Sequence, residues 1–380
     1  MFWLIGSLDS LMIIMPKNYY KKYVSKISEL NRILSDIKSI VSIVIPHWNN
    51  IDILSECLQS ISSTEFPDVE IIVVDNASSD HSVQWVKSNY PNIKLIENDK
   101  NHGYAGGCNI GADSASGEYL IFLNNDTVQE KNWVSSLVDT MKSNPEVAAL
   151  QPKILNYYDR NIFDYAGGSG GHMDIYCFPF ARGRLFSYQE TDKGQYDNKE
   201  KCFWASGTCI MVRKDLFRKA GGFDETFFAH MEEIDLCWRL YAMGFKVWAD
   251  PNAIVYHKNA LTLPMYTHKK YYLNHRNSLL MLFSNYSIYN IFVIGIPRII
   301  LEIVACFYSM LMLDWKHLTA ILRALFWIVT HPQVIIRKRN KFSKIRKLRD
   351  KNIMKNMMQF SIIIKYYLLK KRTYLDILSK

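Results

Sequence analysis

The chain has 380 residues, 49% of them apolar, and a formal net charge of +10. A substantial core can be built from this composition, and wholesale disorder is excluded. The seven cysteines (Cys57, Cys108, Cys177, Cys202, Cys209, Cys237 and Cys306) are odd in number and include no C-x-x-C pair. This argues against a zinc cluster or a disulfide framework and predicts reduced, buried thiols.

Residues 1–40 form a leader. Met1 to Met15 is apolar but carries Asp9, lacks a basic start and is too short to span a bilayer, so an interfacial or packed segment is expected. Met12 and Met15 are alternative starts. Lys17 to Lys38 has helical spacing. From Val41 short β-branched runs alternate with helix-like stretches. The strands are Val41–Ile45, Glu70–Val74, Ile93–Ile96 and Tyr119–Leu123. The helices are Asp52–Ile61, Ser79–Tyr90 and Asn109–Ala115. This alternation predicts βαβ units and an α/β fold with a mostly parallel, Rossmann-like sheet. From Ala148 to Val212 the pattern loosens, and Gly167–Gly171 reads as a mobile loop or a plain linker. A second ordered block runs from Phe203 to His257. Beyond Tyr271 the chain is helical and apolar, then densely basic from Arg337 to Arg349.

In a parallel sheet, ligands bind beyond the carboxyl ends of the strands. Here those ends carry Pro46-His47-Trp48-Asn49, Asp75-Asn76 and Asn124-Asn125-Asp126. Asp75 can accept from a base N–H or a ribose hydroxyl, or simply cap the next helix. The glycine-rich stretch from Asn101 through Gly103, Gly106 and Gly107 to Asn109 and Gly111 precedes a helix. It suits phosphate, or is an ordinary turn. Asp126, beside Asn125, can hold magnesium or manganese, with phosphate oxygens completing the shell. Three acids, Glu232, Glu233 and Asp235, lie in an apolar, aromatic setting. Such a setting raises a carboxylate toward the range of a general base. Equally, acids favour a helix start, and Asp235 can pair with Arg239 four residues on. His257 follows a strand as a structural residue or a metal ligand. Arg276 can neutralise a diphosphate or brace the domain.

These stretches, in this order, resemble the inverting glycosyltransferase family 2, which has the GT-A fold, and are most similar to its rhamnosyltransferase-like branch. The motifs are Ser42-Ile43-Val44-Ile45-Pro46, Val73-Val74-Asp75-Asn76-Ala77-Ser78, the Asn101–Gly111 stretch, Phe122-Leu123-Asn124-Asn125-Asp126, Ala205-Ser206-Gly207, Gly221-Gly222-Phe223-Asp224-Glu225, Glu232-Glu233-Ile234-Asp235-Leu236 and Tyr256-His257. The resemblance covers about Val41 to Asn277. It implies a nucleotide-sugar donor bound through Pro46, Asn49, Asp75, Asn76, the glycine-rich stretch, Asn125 and Arg276. It implies a divalent cation, Mn2+ or Mg2+, on Asp126 and His257, and Glu233 as base with Glu232 and Asp235 as rivals. Two departures stand out: Asn124 occupies the first acid of the D-x-D-like motif, and Glu232-Glu233 replaces Glu-Asp. The implied reaction is one inverting displacement onto a saccharide or lipid-linked saccharide, in cell-surface polysaccharide synthesis.

The expected domains are 41–280, with a donor half at 41–150 and an acceptor half at 151–280, and a helical region at 281–380. Ile291 to Leu313 is long enough to span a bilayer but contains Arg298 and Glu302. A shallowly inserted or peripheral hairpin is expected, at the cytoplasmic side of the cell membrane, with the basic run meeting an anionic leaflet. No aromatic-basic surface motif points to nucleic acid, and nothing indicates an oligomeric state. The competing functions are a nucleotidyltransferase that makes nucleotide sugars and a non-catalytic, transferase-like membrane scaffold. The first usually has a basic glycine loop after its first strand, where this chain has His47-Trp48-Asn49-Asn50.

Overall fold

The computed structural model describes residues 40–258 and 267–379. The leader expectations for 1–39 lie outside the described residues. β1 (Val41–His47) is buried along almost its whole length, as its β-branched run requires for a strand covered on both faces. α1 (Ile51–Ser62), β2 (Val69–Asp75), α2 (Ser82–Asn89), β3 (Lys94–Glu97), α3 (Gly103–Ser114), β4 (Tyr119–Leu123), β5 (Thr127–Gln129), α4 (Trp133–Ser143) and β6 (Val147–Asn156) follow. Next come short strands β7 (Gly171–Met173), β8 (Pro179–Ala181), β9 (Arg184–Leu185), β10 (Tyr188–Gln189) and β11 (Glu200–Cys202). The domain continues through β12 (Cys209–Arg213), α5 (Lys214–Ala220), α6 (Glu232–Ala242) and β13 (Lys246–His257).

The main sheet has the order β11-β13-β6-β12-β4-β1-β2-β3, with β5 paired to β13. β1, β2, β3 and β4 run parallel, as do β6 and β13, whereas β12 is antiparallel to both β4 and β6. The sheet is therefore the mostly parallel one expected, with one reversed central strand. Its register sets His47 opposite Asp75 and His257 opposite Thr127.

Two expectations change. The glycine-rich stretch is not a loop ahead of a helix at Asn109; the helix already begins at Gly103. Tertiary packing overrides the low helix propensity of glycine. A Cβ on Gly111 would come within 2.3 Å of Val44 Cγ1, so α3 can lie on β1 only with hydrogen at that position. The 167–171 run is not a loose loop either. A Cβ on Gly168 would meet the Arg182 carbonyl at 2.1 Å, and the Ser169 N–H donates to that carbonyl at 2.9 Å. Close backbone packing demands these glycines, and they support the small antiparallel sheet β7–β10.

The C-terminal helices are α7 (His268–Asn285), α8 (Ile288–Leu311), α9 (Trp315–Thr330), α10 (Pro332–Ile345), α11 (Asp350–Met354) and α12 (Tyr374–Leu378). α7 runs through the boundary expected at 280, and Leu279 to Leu282 join the central core. Part of the basic run faces inward. Lys338 pairs with Asp224 at 2.5 Å, Arg339 donates to the Phe283 and Tyr286 carbonyls, and Arg346 pairs with Asp350. The tail then returns to the 151–280 half, where Ile362, Tyr366, Tyr374 and Ile377 complete a separate core with Leu155, Phe163, Phe180 and Leu185. All seven cysteines are free thiols, and six of them are buried.

Candidate active site

The carboxyl ends of β1, β2 and β4 bring together residues expected to face the donor. Asp75 is buried; its Oδ2 accepts from the Ser78 N–H at 3.0 Å, while Oδ1 has no hydrogen-bond partner. Asn76 donates to the Gly103 carbonyl at 3.1 Å and accepts from Asn98 at 3.0 Å, so it ties the end of β2 to the start of α3. A Cβ on Gly107 would meet Asn76 Nδ2 at 2.9 Å and Pro46 Cβ at 3.2 Å. Pro46, Asn76 and Gly107 thus form one packed corner. Asn49, at φ 59°, accepts from the Ser79 N–H at 2.8 Å and links the first two strand-end loops.

His47 carries part of this corner, although its strand-end position alone did not single it out. Its Nδ1 takes a hydrogen bond from Asn125 Nδ2 at 2.9 Å, and its buried Nε2 has no partner. An amide donor at Nδ1 leaves the proton on Nε2. Burial lowers the pKa of this imidazole in spite of the charges of Asp75 and Asp80.

Next to Asn125, Asp126 and His257 converge across β5 and β13. His257 Nε2 lies 3.2 Å from Asp126 Oδ1, an ion-pair contact without hydrogen-bond geometry, so that buried oxygen has no hydrogen-bond partner. On the other side His257 Nδ1 meets Asp164 Oδ1 at 2.9 Å. Burial disfavours the imidazolium, but the two carboxylates outweigh it and raise His257 to about 10. Burial also pushes Asp126 up, yet His257 draws it below the ordinary carboxylate range. A divalent cation would have to displace the Nε2 proton of His257; the carboxylate and the imidazole backed by a second carboxylate then form a fitting half-site for it. Among the described residues no group of three or more His, Cys, Asp or Glu side chains could hold a metal by itself. The remaining ligands would have to come from a bound molecule. Asp164 is the residue that sequence reasoning missed; its signal was a lone acid within Ile162-Phe163-Asp164-Tyr165-Ala166.

Glu232 and Glu233 open α6, preceded by a strained turn. Phe228, His230 and Met231 all have positive φ, at 66°, 66° and 76°, a conformation that costs a non-glycine residue of order 1–3 kcal/mol. Asn277 and Arg276 on α7 hold this turn. Asn277 Nδ2 donates to the carbonyls of Phe227, Ala229 and His230 at 3.1, 2.9 and 2.7 Å. Arg276 donates to those of Thr226 and Phe227. Burial pushes Glu233 up to about 7, against the pull of nearby backbone N–H groups. Glu232 is raised well above the usual range, by burial first and then by the Glu233 charge. Each has an Oε2 without a partner. A methyl on Gly207 would lie 3.7 Å from Glu233 Cδ, the Gly207 carbonyl accepts from the Tyr104 hydroxyl at 2.6 Å, and the Thr208 carbonyl accepts from the Asn124 N–H at 2.9 Å. The start of the reversed strand β12 thereby connects the acids to the Asn125-Asp126 corner.

Four expected site residues are committed elsewhere. Asp235 pairs with Arg239 at 2.8 Å through Oδ2 and accepts from Asn285 at 3.0 Å through Oδ1, so both of its oxygens are engaged. Asn109 bonds to both the N–H and the C=O of Phe223. Asn101 accepts from the Gly103 N–H at 2.8 Å and starts α3. Arg276 braces the turn, so the structural one of its two expected roles is the one seen.

The family model described as glycosyl transferase family 2 matches residues 42–221. An N-acetylglucosaminyl-diphospho-decaprenol L-rhamnosyltransferase of Mycobacterium tuberculosis is 28% identical over 223 residues, which are 54% of this chain and 72% of that protein. Residues 42–221 therefore carry the glycosyltransferase family 2 pattern. The name of that relative agrees with the rhamnosyltransferase-like branch that the motifs resemble. A second relative, the O-antigen biosynthesis protein RfbC of Myxococcus xanthus, is 29% identical over 231 residues, 58% of this chain but only 17% of the relative. The chain thus spans a small part of that protein. The crystal structure of GalNAc-T7 with UDP, GalNAc and Mn2+ superposes with a TM-score of 0.52 at 17% identity, over 66% of this chain and 48% of the other, and bears out the GT-A fold.

Proposed function

We propose that this protein transfers a sugar from a nucleotide-diphosphate donor, of the dTDP-rhamnose or UDP-sugar kind, to a saccharide or lipid-linked saccharide acceptor with inversion. We place it in cell-surface polysaccharide synthesis at the cytoplasmic side of a membrane. The observation that carries the reading is Glu233, a half-buried residue at the head of α6 whose Oε2 is enclosed without a partner and whose carboxyl is raised to about 7. A base whose pKa lies near working pH is best matched to removing a hydroxyl proton during displacement.

Each residue has a role in this scheme. Asp75 Oδ1 accepts from the nucleoside, and the Pro46–Asn76–Gly107 corner seats the diphosphate side. Glu233 takes the acceptor proton as the acceptor oxygen forms its bond to the anomeric carbon and the bond to the diphosphate breaks. Glu232, kept protonated, lets its neighbour hold the single charge, since two adjacent buried carboxylates do not both ionise readily. Asp126 and His257 are the residues that would hold a divalent cation, Mn2+ or Mg2+, which when bound supplies charge stabilisation for the diphosphate. The relative named as a rhamnosyltransferase and the neighbour bound to UDP and Mn2+ support this choice of donor and cation. The test is a thermal-shift panel of UDP, dTDP, GDP and CDP and their sugars, with and without Mn2+. One nucleotide that stabilises only with metal is expected. No shift with any of them, on folded protein, would overturn the reading.

A further inference from the structure

α8 divides lengthwise into two unlike faces. Along one, Arg298, Glu302 and Ser309 are each 1% exposed. Arg298 pairs with Glu302 at 2.6 Å, donates to Ser278 Oγ at 3.2 Å and stacks its guanidinium 3.7 Å over Phe178. Glu302 meets His275 at 2.7 Å, and Ser309 meets His317 at 2.9 Å. The other face has Phe292, Ile296, Ile300, Phe307 and Leu311, each more than half exposed. With Val304, also more than half exposed, they recur every three or four residues and make one apolar stripe. Leu322, Phe326 and Val329 extend it on α9.

A contiguous apolar surface of this extent is not ordinary solvent-facing area. Its charge surroundings say what covers it. Between Ile288 and Ile345 the only acids are Glu302, which is buried, and Asp314, which is half-buried, while Lys316, Arg323, Arg337, Lys341 and Lys344 are exposed. An apolar stripe whose segment exposes five cations against one half-buried acid matches an anionic lipid leaflet. By length and composition α8 could cross a bilayer. Its inner face forbids this, because Arg298, Glu302 and Ser309 are bonded along the helix to α7, α9 and Phe178. A crossing would carry an arginine, a glutamate and their partners into hydrocarbon or strip them from the catalytic domain.

We propose that α8 and α9 lie flat in one leaflet, apolar stripe down, with the Arg298–Glu302–His275 face turned to the catalytic domain. This rests on the membrane location proposed above and adds how the protein sits. The test uses the full chain with vesicles of phosphatidylethanolamine and phosphatidylglycerol. Wild type should float with the vesicles and resist release by high salt. Phe292→Glu/Phe307→Glu, with unchanged circular dichroism, should stay in solution. Flotation unaffected by the double variant overturns the face while leaving the membrane reading in place; no flotation of wild type overturns both. To separate lying from crossing, Tyr289→Cys and Leu311→Cys are made in a Cys306→Ser background and treated with an impermeant maleimide. A flat seat gives each position the same labelling before and after the vesicles are opened. Labelling of one end only after opening overturns the flat seat.

Discussion

Asn277→Ala tests whether the turn before the acids is held from outside. Asn277 is fully buried, and its Nδ2 supplies two N–H bonds to the Phe227, Ala229 and His230 carbonyls. A buried hydrogen bond contributes about 0.5–1.5 kcal/mol net, and a stranded partner costs about 1–3 kcal/mol. Loss of two donors should therefore lower global stability by about 2–4 kcal/mol. Three left-handed residues in the turn store roughly 3–9 kcal/mol of strain at about 1–3 kcal/mol each. The turn should relax in the variant before the fold does. Displacing the base by about 1 Å costs on the order of 100-fold in rate. Urea unfolding gives the stability change, and steady-state kinetics with donor and acceptor give kcat and KM. A relaxed turn admits water to Glu233, so the inflection of the pH–rate profile should also fall from about 7 toward the ordinary carboxylate value. A loss of stability with kcat and the pH inflection both unchanged would refute the clamp.

Glu233→Gln should lower kcat by about 10²–10⁴ and leave nucleotide-dependent thermal stabilisation intact, whereas Glu232→Gln, which mimics a carboxyl already protonated, should keep most activity. In wild type, because the base must be ionised, kcat/KM should rise about tenfold per pH unit below 7 and level off above it. Folding is affected with the opposite sense: Glu233 binds its proton more tightly folded than unfolded, so it reduces stability progressively from pH 4.5 to about 7 and no further above that. Asp126→Asn should abolish the metal-dependent part of the nucleotide thermal shift while any metal-independent part persists. Gly111→Ala, with its Cβ 2.3 Å from Val44 Cγ1, should destabilise the protein by about 1–3 kcal/mol in urea titration as an overpacked core position.

Local pattern carried the donor half of the fold. Val41–Ile45 and Glu70–Val74 are mostly β-branched runs, ended by Pro46 and Asp75, and the structure makes them adjacent parallel strands with His47 beside Asp75. The acids of α6 were equally visible, since their apolar surroundings in sequence become their burial in space. Whatever depended on distant partners was not legible. Asp164 approaches His257 from 93 residues away, and no spacing announces it. The pairing of Asp235 with Arg239 was legible in their spacing of four, but not the bond from Asn285, 50 residues on, that fills its other oxygen. Glycines were read for their freedom, when at Gly107, Gly111 and Gly168 it is the missing side chain that matters.

The returning tail bears on how this protein can be shortened. Ile362, Tyr366, Tyr374 and Ile377 close the hydrophobic cluster that also contains Phe163, the neighbour of Asp164, and the Tyr374 N–H donates to Glu190 at 3.0 Å. A fragment ending near residue 280 would cut α7 three residues past Asn277 and leave that cluster open to water. The change of character in the sequence at 280 is thus no place to cut the polypeptide. A soluble catalytic fragment would be better made by recolouring the outer stripe of α8 and α9 with polar residues than by deleting either helix.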